Sequence, residues 1–408
     1  MQKGSVLILG GGISGLISAI ASARAGDHPL ILEKLDQPGK KLLATGNGRC
    51  NLMNLHKPVY YGDPDFADAV LGTDPVEKLT DFWKSLGLFL RYDADGRGYP
   101  CTFSAATVLE VIKSELKHQK VNILTGRRVT DISVSDAGYR VQTENEEIFE
   151  ADRMIISTGG AAQPKLGGNL DAWPWLSSLG HTMISANPAL TPLITEPRTI
   201  SGLSGIRARC QIQLWNADNL VLQEKGELLF TEKGISGICA MQCARFIMPG
   251  KSECRINLVS DLFSSEKDLY LELAARRNKD HEGSPPELLR GLCPPKLAYA
   301  VCKQAGLQLK GEKNGALTSI DLHKIANTSL GYRINIIGTE GFERAQVMAG
   351  GVNCKEIRPD NLESLLQPGL HITGELLNVD GDCGGFNIMF ACMSGLRAGW
   401  NRRNQHIC

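Results

Sequence analysis

The stretch VLILGGGISG, from Val6 to Gly15, decides the fold of this chain. A run of branched apolar residues leads into the spacing Gly10-x-Gly12-x-x-Gly15, and an apolar helical pattern begins within it. The first glycine permits a tight strand-to-helix turn, the second lets the backbone approach a pyrophosphate, and the third lets helix and strand pack closely. The start of the helix presents free N–H groups to the phosphates. This fingerprint, residues 6–15, predicts a dinucleotide-binding site.

An acidic residue stands where such a site needs one. Glu33 closes the predicted second strand, and Lys34 follows it. A carboxylate at this place accepts hydrogen bonds from an adenosine ribose and repels a 2′-phosphate. The predicted ligand is therefore an unphosphorylated dinucleotide such as FAD or NAD. Strand, turn, helix and acid together indicate an α/β protein with a Rossmann-like domain.

Composition and charge narrow the class of protein. The chain has 408 residues with 44 basic and 44 acidic side chains, which argues against an extended nucleic-acid surface. No apolar run reaches the roughly 18 residues of a membrane-spanning helix, and the N-terminal run fits a nucleotide fold better than a signal peptide. The 12 cysteines include no CxxC pair, so reduced thiols and a cytoplasmic location are expected. The eight histidines lack metal-ligand spacing, so no metal site is predicted.

Two further glycine-rich blocks follow predicted strands. The first block, KKLLATGNGRCN at residues 40–51, is predicted to be a functional loop. Its Lys41, Arg49 and backbone donors are expected to hold a second phosphate or the flavin edge, and a surface turn with solvated charges is the alternative. The second block, STGG at residues 157–160, lies at a strand end, where open sheets bind ligands, although a plain turn fits equally.

The third block, residues 371–391, predicts a strand, a glycine-rich turn and a helix. The helix start at Phe386 and Asn387 is expected to face the pyrimidine end of a flavin, where negative charge develops on reduction. Asp380 is expected to bind a ribityl hydroxyl or a phosphate-bound water. Gly350 and Gly351, just upstream, are expected to let the backbone approach the ring. Core packing of the helix is compatible with the same pattern.

Cys50, inside the first block, has two interpretations. It is either a thiol poised against the flavin or a small packing residue, and the second interpretation is favoured.

Several long motifs together resemble the bacterial BaiN/aminoacetone oxidase-type (YhiN-like) family of FAD-binding flavoproteins, which are NAD(P)/FAD-dependent oxidoreductases. Besides the fingerprint and the first block, these motifs are GELLFT with GISG at 226–237, AQVMAGGV at 345–352 and GELLNVDGDCGGFN at 374–387. The resemblance implies a Rossmann-like FAD-binding domain of the glutathione reductase-like superfamily, with an inserted β-barrel and a small helical domain. It also implies FAD contacts at the three blocks and a main-chain contact with adenine near Val129.

The predicted domains follow the chain in five segments. The FAD-binding domain comprises residues 1–190 and 345–408, the barrel comprises 191–262 and 321–344, and a helical cap comprises 263–320. The predicted cofactor-binding residues are Gly10, Gly12, Ile13, Ser14, Gly15, Glu33, Lys34, Lys41, Leu42, Thr45, Gly46, Asn47, Gly48, Arg49, Cys50, Asn51, Val129, Thr158, Gly159, Gly160, Gly374, Glu375, Asp380, Gly384, Gly385, Phe386, Asn387 and Ile388.

The expected function is an FAD-dependent oxidoreductase that exchanges hydride between flavin N5 and a small organic substrate of the amine or enone class. The chain has no second GxGxxG after a strand, so NAD(P)H is expected to dock transiently, with dioxygen as a competing partner. No residue is identified as a catalytic acid or base. The alternatives are an RNA-modifying flavoprotein, which the neutral charge disfavours, and a flavin-binding protein without turnover.

Overall fold

The computed structural model describes residues 2–3, 6–135 and 138–400. The chain forms two compact units, Met1–Pro188 with Ala345–Cys408 and the inserted Ala189–Arg344. The predicted outer ends of the first domain, at residues 1 and 408, lie outside the described residues. Each unit has its own cluster of buried apolar side chains.

The first unit is built on a five-stranded parallel sheet. In spatial order its strands are Leu370–Ile372, Arg153–Ile156, Val6–Leu9, Pro29–Leu32 and Asn122–Leu124. The described residues of four of these strands are almost entirely buried, as expected for a parallel sheet covered on both faces. The strand from the far C-terminal part pairs beside the N-terminal strands. The predicted α/β class is confirmed.

Two helices of this unit cross closely, Ile13–Arg24 and Phe386–Gly399. A Cβ atom at Gly395 would lie 2.6 Å from Ser14 O, and one at Gly399 would lie 2.3 Å from Ser18 O. Glycines at the crossing therefore let the two backbones approach. The remaining helices of this unit are Lys40–Ala44, Pro64–Leu71, Pro75–Ser85, Ala105–His118 and Ala172–Ser178.

Smaller sheets complete the first unit. One has four strands, Gln2–Lys3, Ile148–Ala151, Gly138–Thr143 and Val129–Ser135, and another has three, Met53–Asn54, Arg97–Pro100 and Leu90–Tyr92. Two-stranded sheets pair Tyr60–Gly62 with Val379–Gly381 and Met183–Ala189 with Val347–Val352.

The first block is more ordered than predicted. Where an irregular loop was expected, the chain forms the helix Lys40–Ala44, a 3-10 turn at Thr45–Gly48 and the strand Met53–Asn54. The buried Leu42 anchors the short helix in the core, a tertiary contact that local sequence periodicity does not reveal.

The second unit contains a closed barrel of six strands. In order around the barrel they are Leu193–Thr195, Gly234–Ser236, Asn219–Phe230, Arg207–Asn216, Ser252–Asn257 and Tyr332–Thr339. Its helices are Pro197–Ile200, Ile238–Gln242, Glu266–Lys279, Pro295–Gln304 and Ser319–Leu330.

The predicted start of the second barrel segment, residue 321, falls inside a helix. Thr318 caps the helix Ser319–Leu330, because its side chain accepts a hydrogen bond from the Asp321 N–H while the Asp321 carboxylate accepts one from the Thr318 N–H. Barrel structure resumes only at Tyr332. Over the described ranges, no helix is long and apolar enough to cross a membrane, and no cluster of side chains suits a metal ion.

Candidate functional site

The fingerprint turn has two crowded glycines and one that faces open space. A Cβ atom at Gly10, whose φ is 102°, would lie 2.6 Å from Ser157 O, and one at Gly15 would lie 2.0 Å from Gly10 O. At Gly12 the nearest atom to such a Cβ is Ser157 O at 4.0 Å. The crowded pair is needed for packing, whereas Gly12 leaves room for a ligand beside the first N–H groups of the helix.

Glu33 is fixed at the end of its strand, where it is only 7% exposed. Its Oε2 accepts a hydrogen bond from Gly11 N at 2.7 Å, and its Oε1 accepts one from Leu35 N at 2.8 Å. A Cβ at Gly11 would lie 2.9 Å from the same carboxylate. The GxGxxG spacing did not identify Gly11, although its place in the middle of the run GGG at residues 10–12 was a visible signal.

Three hydroxyl groups join the fingerprint to the second and third blocks. Ser14 Oγ donates to Thr373 Oγ1 at 2.8 Å, and Ser157 Oγ lies 2.8 Å from the same oxygen. Gly374 N donates to Ser394 Oγ at 3.0 Å. Ser157 and Thr373 lie in the predicted blocks, but they were not among the predicted cofactor-binding residues. Their proximity depends on the order of strands in the sheet, which local patterns do not encode.

The first block has unusual backbone conformations. Gly46, Asn47, Gly48 and Cys50 have φ values of 56°, 54°, 84° and 59°, all in the left-handed region. Such conformations are costly for residues with side chains, and they cluster at ligand sites. The buried Asn51 Oδ1 has no hydrogen-bond partner within the described ranges. This amide oxygen is therefore available to a ligand donor.

Cys50 is fully buried in the apolar core. Burial raises the pKa of its thiol to about 11, so the group is neutral at physiological pH. These properties favour the packing interpretation over a reactive thiolate. Thr45 Oγ1 in the same block donates to Leu42 O at 2.6 Å, while Arg49 is exposed.

Lys41, predicted to hold a second phosphate or the flavin edge, forms a partly buried ion pair with Glu375. Its Nζ lies 2.5 Å from Glu375 Oε2, and Glu375 Oε1 accepts a hydrogen bond from Met348 N at 2.9 Å. The two side chains thus cross-link the first block to the third. Lys34 is half-buried, and burial lowers the pKa of its ammonium group, with Asp171 as an opposing negative charge.

The third block packs its glycines against the first. Gly384 and Gly385 have φ values of 142° and 105°, and a Cβ at Gly385 would lie 2.6 Å from Asn51 Oδ1. Asn54 Nδ2 donates to Gly384 O at 3.0 Å. The helix that begins at Phe386 therefore starts beside the first block, with its initial backbone N–H groups unpaired within the helix.

The Asn387 side chain does not extend toward a ligand. Its Oδ1 accepts a hydrogen bond from Gly381 N at 2.8 Å, and its Nδ2 donates to Gly381 O at 2.8 Å. The amide therefore holds the preceding loop, and only the backbone at this position remains for the predicted flavin contact. Asp380, in the middle of the strand Val379–Gly381, is 2% exposed.

Gly350 and Gly351 are packed against protein backbone. A Cβ atom would lie 2.2 Å from Ser185 O at the first and 2.5 Å from Leu376 O at the second. These contacts explain both glycines by backbone packing, and the expectation that they let the backbone approach a cofactor ring stays a prediction.

The other predicted residues lie after or at the start of strands, or in and against the apolar core. Thr158, which follows the strand Arg153–Ile156, has a buried Oγ1 without a hydrogen-bond partner among the residues described. Gly159 is left-handed at φ 73°, and Gly160 lies against Met348. Val129 begins a strand, Leu42 is in the core, and Ile13 and Ile388 are half-buried against it.

The residues present fit a bound dinucleotide. Gly12 leaves space beside the helix start, Glu33 is oriented by two backbone N–H groups, and two buried polar atoms await partners. Those two atoms, on Asn51 and Thr158, belong to the first and second blocks. The arrangement can bind a diphosphate and a ribose at one end and present backbone donors to a polar ring at the other.

The chain matches a family model and two known proteins along most of its length. The family model described as the HI0933-like protein Rossmann domain matches residues 4–401. A 3-dehydro-bile acid delta(4,6)-reductase of Clostridium scindens is 36% identical over 405 residues, covering 96% of this chain and 97% of the relative. A ribosomal RNA dihydrouridine synthase of Escherichia coli is 26% identical over 398 residues, covering 97% of this chain and 96% of the relative.

Two solved structures share the fold. A flavocytochrome c3 fumarate reductase matches with a TM-score of 0.51 and 15% identity, over 98% of this chain and 78% of that one. A 3-ketosteroid-delta4-(5alpha)-dehydrogenase from Rhodococcus jostii matches with a TM-score of 0.50 and 16% identity, over 99% of this chain and 97% of that one.

Proposed function

This chain belongs to the HI0933-like Rossmann family, and from that premise we propose that it is an FAD-dependent oxidoreductase that reduces a C=C bond conjugated to a carbonyl group. The observation that carries the proposal is its 36% identity, along nearly the whole of both chains, to a bile acid delta(4,6)-reductase. In the name of that relative, 3-dehydro denotes a 3-oxo group and delta(4,6) denotes the double bonds beside it, which together make a conjugated enone. The proposed substrate is therefore an apolar enone of the steroid class, rather than an amine.

Each part of the candidate site has a place in this reaction. The N–H groups beside Gly12 would bind the diphosphate of FAD, and Glu33 would accept hydrogen bonds from its ribose. The start of the helix at Phe386 would stabilise negative charge on the pyrimidine end of the ring. When bound and reduced, FAD supplies a hydride. The chain's own residues hold and orient the ring and exclude water around it.

The reducing equivalents come from a nicotinamide nucleotide that docks transiently, in our proposal. The sequence has only one GxGxxG after a strand, and we assign it to FAD. No second motif is therefore left to hold the nicotinamide nucleotide permanently. A cytoplasmic location is proposed as well, because no disulfide links the described cysteines.

A second candidate is the reduction of a uracil in ribosomal RNA. The 26% identity to a ribosomal RNA dihydrouridine synthase, over 97% of this chain, favours it. The C5=C6 bond of uracil is also conjugated to a carbonyl group, so the same hydride chemistry applies. The balance of 44 basic and 44 acidic side chains weighs against a large RNA surface.

Anaerobic flavin spectroscopy tests the two candidates together. Protein loaded with FAD and reduced with NADH or NADPH is mixed with a 3-oxo-4,6-diene steroid or with a ribosomal RNA fragment. We expect the steroid to restore the oxidised flavin spectrum and to gain two hydrogen atoms by mass spectrometry. Reoxidation by the RNA alone would support the second candidate. Reduction of the oxidised flavin by amines, with no response to either acceptor, would contradict both.

A further inference from the structure

We propose that Tyr99 is the acid that donates a proton to the α carbon of the substrate, an assignment that rests on the proposed enone reduction. Hydride delivery to the β carbon leaves negative charge on the α carbon and the carbonyl group, so the reaction needs a proton donor. No donor was identified from the sequence. The structure brings one phenol to the meeting point of the first and third blocks.

Tyr99 lies in the middle strand of the three-stranded sheet, Arg97–Pro100. The neighbouring residue Gly98 pairs with Met53, directly after the first block. The Tyr99 ring lies next to that block, since its Cε1 is 4.0 Å from the point where a Cβ on Gly46 would stand. Its ring centroid is 5.6 Å from that of Phe103. The ring therefore stands beside the left-handed segment, which we take, of its two predicted ligand roles, to hold the flavin edge.

Charged and titratable groups surround the phenol from both blocks. Arg49 belongs to the first block and Cys383 to the third, while Arg97 comes from its own strand and Asp93 from the turn before that strand. Burial is the largest influence and raises the pKa of Tyr99 above its usual value, so the hydroxyl keeps its proton at neutral pH. The side chain is half-buried, and its hydroxyl forms no hydrogen bond with another described residue.

The hydroxyl groups of three neighbouring tyrosines already form hydrogen bonds within the protein. Tyr60 OH donates to Phe386 O at 2.9 Å, and Tyr61 OH donates to Asp382 Oδ1 at 2.9 Å. Tyr92 OH lies 3.2 Å from Thr80 Oγ1 and 3.5 Å from Met53 Sδ. Of these four phenols, only Tyr99 combines a place next to the first block with a hydroxyl left for a substrate.

The proposed step balances. The β carbon gains a hydride, with both electrons, from the reduced cofactor, and the C=C bond becomes a single bond. The Tyr99 O–H bond breaks, its proton forms a C–H bond at the α carbon, and the phenolate oxygen keeps the electron pair. Arg49 and Arg97 stabilise that charge until water returns a proton. The nicotinamide nucleotide of the proposed function restores the reducing equivalents.

The test compares Tyr99→Phe with two other variants in the FAD-loaded protein. Tyr92→Phe removes a phenol hydroxyl from the adjacent strand. Cys383→Ala removes a nearby thiol, which is the alternative proton donor. We expect Tyr99→Phe to slow flavin reoxidation by the enone by about 10²-fold or more, within the usual range for a lost general acid. Flavin reduction by the nicotinamide and the Kd for FAD should stay within about twofold of the wild-type values, a difference of under 0.5 kcal/mol.

The stereochemistry of the product gives a readout that a packing defect would not produce. In D₂O, the wild-type protein should place deuterium on one face of the α carbon. Tyr99→Phe should give a mixture of faces, because water then supplies the proton. Unchanged reoxidation and stereochemistry in Tyr99→Phe, or the same losses in Cys383→Ala instead, would overturn the assignment. A wild-type protein that reduces no enone at all would instead refute the proposed function.

Discussion

At the scale of single residues, the two kinds of glycine in the fingerprint make a sharp prediction. Gly12→Ala adds a methyl group in open space at an ordinary φ of −71°, so the apoprotein should unfold at the wild-type temperature. That methyl group enters the space assigned to the diphosphate and should weaken FAD binding by roughly tenfold to a hundredfold. Fluorescence quenching of FAD and thermal unfolding measure the two effects.

Gly15→Ala is the matched control. Its methyl group would lie 2.0 Å from Gly10 O, and the strand-to-helix turn must shift to admit it. We expect a loss of about 1–3 kcal/mol in the free energy of unfolding, even without FAD. Equal unfolding temperatures for the two variants would contradict the distinction between the crowded Gly15 and the open Gly12.

Thr158 supplies a second prediction at this scale. Its buried Oγ1 has no partner among the described residues, so Thr158→Val should leave the apoprotein as stable as the wild type or make it more stable. If FAD fills this gap, the same variant should bind FAD about tenfold more weakly, a loss of about 1.4 kcal/mol. Weaker FAD binding without loss of apoprotein stability is the expected pattern. A less stable apoprotein that binds FAD normally would show instead that the hydroxyl stabilises the folded protein and does not contact FAD.

At the scale of elements, the close crossing of the helices Ile13–Arg24 and Phe386–Gly399 holds the two ends of the candidate site together. Gly399→Ala would place a methyl carbon 2.3 Å from Ser18 O and force the helices apart, at a cost of about 1–3 kcal/mol. Gly338→Ala, in a barrel strand, is the control. Its added methyl carbon would have no atom within 4 Å, so it should change the unfolding temperature little. Thermal unfolding compares them, and equal effects would contradict the role of the crossing.

The elements that sequence reasoning found are those with strong local signals. The fingerprint strand and helix lie where the glycine spacing and apolar periodicity put them, at Val6–Leu9 and Ile13–Arg24. The contact of Ser14 with Thr373 spans most of the chain, and the Lys41–Glu375 ion pair joins blocks that are equally remote in sequence. Such pairs follow from the strand order of the sheet, so no local pattern could predict them.

At the scale of the whole molecule, buried His371 links stability to pH. Burial is the main cause that lowers the pKa of its imidazole to about 4, and its Nδ1 lies 2.9 Å from Asn361 O. The unfolded chain binds a proton near pH 6.5, so stability is complete above that pH and is lost as the pH falls toward 4. The loss due to this residue approaches roughly 3 kcal/mol.

His371→Gln removes that titration. The unfolding temperature of the wild type should fall more steeply between pH 6.5 and pH 4 than that of the variant. Parallel pH profiles for the two proteins would contradict this account, because they would mean that the imidazole has the same pKa in the folded and the unfolded state.

The central claim is that the fingerprint and the third block together bind FAD as a complete dinucleotide. Calorimetric titration of the apoprotein with FAD and with FMN, which lacks the adenosine half, tests it most directly. We predict one FAD per chain with a Kd of about 1 μM or lower, and FMN binding weaker by roughly a hundredfold or more. Equal affinity for FMN, or no heat of binding with FAD, would contradict the account.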